Sequence, residues 1–155
     1  MSQFLFSLST GLHALATVIM IGHYLLLALL YFPVLSKENG GGAILSAISK
    51  RSRMWMYASL AVFAVTGTHL TFADPNYLGL GDFGNFWSIL MLVKHLLIMA
   101  MMALGFWYNA VLRVGPMLLS NNGAEQALAR FGLYSKLMAG CGVLILLLTA
   151  LAQVK

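Results

Sequence analysis

Apolar residues in this chain do not alternate with polar ones; they run in four long blocks. The first extends from about Phe4 to Leu35 without a charge, and the second from about Met54 to Ala73. The third covers about Phe86 to Leu112 and holds Lys94; the fourth covers about Phe131 to Val154, with Lys136 near its start. A helix needs about 20 predominantly apolar residues to cross the hydrocarbon core. The blocks are too long for barrel strands and lack their period-2 alternation. The pattern predicts an all-α integral membrane protein: one domain, 1–155, built as an antiparallel bundle of four transmembrane helices.

The connectors support that division. Ser36 to Arg53 contains Gly40, Gly41 and Gly42, followed by Ala43 to Ser49, which reads as one or two turns of interfacial helix. Asp74-Pro75-Asn76 ends the second block, and Gly79, Gly81 and Gly84 keep the next loop irregular. Pro116, Asn121, Asn122 and Gly123 mark the third connector.

Composition agrees. Hydrophobic residues make up 61% of the 155 and charged residues 8%, against roughly 25% charged in an ordinary soluble domain. So short a chain has too little interior to hide that much apolar surface from water, which excludes a soluble domain and a free nucleic-acid binder. The partner it requires is a lipid bilayer. Lys37, Lys50, Arg51, Arg53, Arg113 and Arg130 all fall on the side of the first and third connectors. The positive-inside rule makes those connectors cytoplasmic and both termini external, as expected in a bacterial inner membrane. No Lys or Arg precedes Lys37, so no cleavable signal is expected. The single Cys141 excludes an internal disulfide and a cysteine-based zinc site.

The candidate chemistry lies in four histidines, all within predicted spans: His13 and His23 on the first, His69 on the second, His95 on the third. Ionisable residues at membrane depth usually face the bundle interior and are candidates for function; the plainer alternative is that each glues two helices by a hydrogen bond. His13 and His69 fall in the outer leaflet, His23 about 15 Å deeper than His13, and His95 between those levels. His13 and His23 point about 80° apart, so one helix can serve two neighbours. Neutral imidazoles from facing helices are the axial ligands of haem iron, and Gly22 and Gly67 leave room for a flat macrocycle. Copper is the rival: Met20 precedes His23 by three residues and Met91 precedes His95 by four, and thioether with imidazole suits Cu(I). Zinc is disfavoured, because no carboxylate or thiolate accompanies the histidines. Lys94 is a cation with no acid inside any span. Asp74, Asp82 or a haem propionate are its candidate partners.

The chain also resembles a known group of membrane proteins. Leu12-His13 is followed by Tyr31-Phe32-Pro33, then by Arg51-Ser52-Arg53 at the entry to the second helix and Val65-Thr66-Gly67 within it. Leu92-Val93-Lys94 stands in the third helix, with Asn109 and Arg113 at its end. This is similar to the superfamily of copper-resistance D domains and HemJ-like protoporphyrinogen oxidases, over nearly the whole chain. The HemJ-like branch implies haem b, with His13 and Lys94 as functional residues; Val34 stands where that branch has Arg. The copper-resistance branch implies copper uptake.

The leading expectation is a membrane b-type cytochrome holding one or two haems b through His13, His23, His69 and His95, with Lys94 beside the cofactor. Its partner would be a quinone or a redox protein. Copper handling through His and Met, porphyrinogen oxidation, and a structural subunit of a larger complex whose histidines glue helices are the alternatives; an oligomer is possible.

Overall fold

The computed structural model describes residues 3–79, 81–107 and 124–152, which are all-helical apart from loops and turns. Its long helices are α1 (Gln3–Leu26), α2 (Gly41–Ala73), α3 (Phe86–Phe106) and α4 (Ala124–Leu151). All four rods are long and apolar enough to cross a membrane. Most of their surface is not buried against one another: α4 has 39% of its most apolar stretch buried and α3 only 11%. In water such exposure would be untenable; against lipid it is the expected outer face.

α1 does not end at Leu26. It continues through a π turn, Leu27–Tyr31, into a last α turn, Phe32–Leu35. Pro33 explains the change of pitch. It has no N–H for the Leu29 carbonyl, and its ring crowds that carbonyl. The backbone widens before it, and the Phe32 amide reaches the Leu27 carbonyl, five residues back. The chain then reverses within Ser36–Gly40. Gly40 takes the left-handed φ of +82°, which a residue with a side chain adopts at a cost. Any Cβ on Gly41 would collide with the Leu35 carbonyl.

α2 starts thirteen residues before the Met54 expected from hydropathy, and the interfacial turns expected at Ala43–Ser49 are its first turns. Lys50, Arg51 and Arg53 interrupt the apolar run but not the helical backbone, because Lys and Arg are good helix formers. Its 33 residues reach about 50 Å, well beyond a hydrocarbon core of about 30 Å. α2 is therefore longer than one crossing requires. α4 likewise begins at Ala124 rather than Phe131. The expected end of the third span at Leu112 and of the fourth at Val154 lie outside the described residues.

Two apolar clusters hold the rods. At mid-depth, Ala16 and Met20 of α1 pack with Phe63 of α2, Ile98 and Met101 of α3, and Met138 and Ile145 of α4. At the basic end, Leu27, Leu45, Ala127 and Phe131 form the second cluster, and the Phe32 and Phe131 rings stack at 6.2 Å. Leu45 is 0% exposed, so the first turns of α2 are anchored rather than floating at the interface. α1 packs on both α2 and α4, and α3 packs on α4. α2 and α3 barely touch.

The α1–α4 contact depends on missing side chains. A Cβ on Gly132 would enter the Phe32 ring, and one on Gly142 would meet Ile21 Cγ2 at 2.9 Å. Gly140, on the same helix, has open space. Gly132→Leu should cost about 1–3 kcal/mol by overpacking, read as a lower midpoint of helix loss in a denaturing-detergent titration. Gly140→Leu should shift that midpoint less; equal shifts would mean that the Phe32–Gly132 seam does not hold α1 on α4.

Candidate functional site

His13 sits on α1 facing α2. Its Nδ1 is 2.9 Å from Thr66 Oγ1, and its ring stacks on Phe63 with centroids 4.3 Å apart. The Thr66 hydroxyl donates to the Val62 carbonyl at 2.6 Å, the ordinary back-bond of a helical Thr. With that proton committed, Thr66 accepts and His13 Nδ1–H donates, so the lone pair of His13 resides on Nε2. Gly67 presses on the same ring: a Cβ there would lie 3.2 Å from His13 Cε1. The expected close approach at Gly67 is thus made by the imidazole itself, whereas Gly22 faces open space.

His95, on α3, reaches the same protonation by a different route. Its Nδ1 lies 2.6 Å from the Met91 carbonyl, and a carbonyl only accepts, so Nδ1 carries the proton and Nε2 the lone pair. Lys94 and His95 both lie close enough to His13 to interact with it electrostatically. Lys94 is half-buried. The two candidate acids nearby are engaged in their own turns: Asp74 Oδ1 accepts from the Asn76 amide and Asp82 Oδ1 from the Gly84 amide, each at 2.9 Å. No ion pair joins Lys94 to a described carboxylate.

His69 lies one turn beyond Thr66 on α2, and its Nδ1 is buried with no hydrogen-bond partner among the described residues. A buried polar atom without a partner costs about 1–3 kcal/mol. His23 lies toward the basic end, its Nε2 3.2 Å from Ser52 Oγ. The four histidines therefore divide. His13 and His95 lie within electrostatic range of each other, whereas His23 belongs to a separate pocket with Ser52.

Two cavities border both α2 and α3. The loop cavity, about 300 Å³, is lined by Thr68 and Thr71 of α2 and by Trp87, Ser88, Met91 and His95 of α3. The basic-end cavity, about 150 Å³, is lined by His23, Ser52 and Arg53 together with Met20, Met101 and Met138. Each proposed Met–His pair thus shares a cavity: Met91 with His95, and Met20 with His23. Linear spacing did not reveal that Met56, Met101, Met102 and Met138 join Met20 there, so that every helix contributes methionine. Their sequence positions carry no common period, and only the packing of four rods brings them together. Among the described residues, no three His, Cys, Asp or Glu side chains converge as a metal-binding group.

Thr66→Val removes the acceptor of His13 Nδ1–H while keeping the shape. It should lower stability by about 0.5–1.5 kcal/mol and free the imidazole to change tautomer, read from its nitrogen chemical shifts; unchanged shifts would separate Thr66 from the orientation of His13. No protein-family model, curated protein or solved structure matches this chain.

Proposed function

We propose that the protein is a membrane b-type cytochrome, with haem b held in the gap between α3 and the α1–α2 pair. The observation that carries this reading is the shared protonation of His13 and His95. Each donates Nδ1–H to a helix oxygen and leaves Nε2 as a lone pair, the arrangement a metal-ligating imidazole adopts so that its orientation and basicity are fixed. The orphaned Nδ1 of His69 adds a third nitrogen in want of a partner. Two imidazoles suffice to hold haem, so His13 and His95 would hold it without a three-ligand cluster.

When bound, haem supplies a one-electron carrier inside the bilayer. The chain's own residues do the rest. Thr66 and the Met91 carbonyl hold the two rings by their Nδ1–H groups, and Phe63 restricts His13 by stacking. Lys94 provides a cation for an anionic group such as a propionate, which no described carboxylate neutralises. His23, on Ser52, lies about 25 Å along α2 from His69, so those two histidines do not form a second pair.

The reading includes an orientation. His13 pairs with Thr66 and His23 with Ser52, as helices running in opposite directions would, in an antiparallel bundle with the basic end cytoplasmic and both termini external. A bacterial inner membrane is the setting this orientation implies.

Two measurements test these claims. The purified protein should show a Soret band that shifts on dithionite reduction, with sharp α and β bands. His13→Ala and His95→Ala should each abolish the six-coordinate spectrum. Wild-type spectra and haem content in all four His→Ala variants would end the cytochrome reading, and a colourless protein carrying stoichiometric copper would replace it with the copper one. For orientation, Glu38→Cys in a Cys141→Ser background should resist an impermeant thiol reagent in intact cells, while Asn76→Cys should react. The reverse pattern would invert the topology.

A further inference from the structure

The basic-end cavity has a composition of its own. It is lined by residues of all four helices, two of which, α2 and α3, make scant contact with each other. About 150 Å³ of free space is roughly ten times what one water requires, the scale of a substituted six-membered ring. Most of the wall is apolar: Met20, Leu60, Ile98, Met101 and Met138. Methionine is usually a flexible filler of gaps, yet here the methionines surround a void. The lining contains one permanent cation, Arg53, and no carboxylate.

Its polar groups form two poles, and the first can reverse its proton. At the first, Ser52 Oγ has one proton and two acceptors within reach: the Ser49 carbonyl at 3.3 Å and His23 Nε2 at 3.2 Å. When Ser52 donates to Ser49, His23 donates Nε2–H to Ser52 and offers a lone pair at Nδ1. When Ser52 donates to His23, the His23 proton sits on Nδ1, free for a ligand to accept. At the second, the Tyr24 and Tyr134 hydroxyls lie 3.1 Å apart and either can donate.

A ligand matched to such a cavity is neutral, flat, lipid-soluble and polar at two ends, and exchanges hydrogen-bond acceptors for donors. We propose that the basic-end cavity binds the headgroup of an isoprenoid quinone in both its quinone and quinol forms. Quinone carbonyls accept from the donating arrangement of the His23–Ser52 pole; quinol hydroxyls donate to the accepting one. The tail leaves between α2 and α3. A phospholipid is the less suited occupant, because its phosphate would meet a single arginine. The inference rests on the redox reading above only for the choice of a redox-active ring; the cavity and its poles stand without it.

The test uses the full chain in nanodiscs of zwitterionic lipid, titrated with a decyl-tailed benzoquinone and separately with its quinol, with haem content read on the same samples. Both forms should bind saturably. Ser52→Ala should weaken binding about 3–10-fold, the loss of one hydrogen bond, and Met101→Phe, which sets a rigid ring in the cavity wall, should also weaken it while the protein elutes as wild type. Should Met101→Phe fail to fold, Ser52→Ala decides alone. Absent binding, binding of only one form, affinity indifferent to Ser52→Ala, or displacement by anionic phospholipid would each overturn the proposal. Haem-loaded protein without quinone binding removes this inference alone; quinone binding without haem keeps it and removes the cytochrome reading.

Discussion

An imidazole placed at membrane depth must have its N–H hydrogen-bonded, because lipid supplies no acceptor. Much of the arrangement follows from how that demand is met. His13 meets it across a helix interface, on Thr66; His95 meets it within its own helix, on the Met91 carbonyl. The first bond sets the register of α1 against α2 and draws the Gly67 backbone against the ring, where a Cβ would crowd it. Both bonds place the proton on Nδ1 and so decide which nitrogen remains for another partner. What glues the helices and what prepares a ligand are, for His13, the same interaction.

Packing then decides where space is left. α1 is joined to α4 by close approach at Gly132 and Gly142 and to α2 by polar contacts from His13 and His23. α3 has α4 as its main support, so its other side borders a gap toward α2. A bundle sealed on every side would bury more area. Here His95 and His23 each line a cavity beside that gap, and the proposed quinone occupies the basic-end one.

The four spans were legible because hydrocarbon thickness sets a length that hydropathy alone detects. Their starts were less so. Lys50, Arg51 and Arg53 end an apolar run without ending a helix, and Leu45 and Ile48 pack at the basic end through a spacing too short to stand out beside a Gly-rich turn. The π turn was implicit in Pro33, whose missing N–H demands some rearrangement but does not specify which. The four histidines stood out by residue type at such depth. Their tautomers did not, since these depend on a Thr hydroxyl and a carbonyl brought near by folding. The gathering of Met20, Met56, Met101 and Met138 was also hidden, because convergence from four helices leaves no trace in any one of them.

The claim on which the functional account turns is that His13 and His95 present Nε2 to a common iron. Electron paramagnetic resonance of the oxidised, purified protein tests it most directly, since two imidazoles give low-spin ferric haem and one gives high-spin. The account predicts a low-spin signal in the wild type that becomes high-spin in His95→Ala and in His13→Ala alike. A low-spin signal that survives both substitutions, or a wild type that is high-spin from the start, would contradict it.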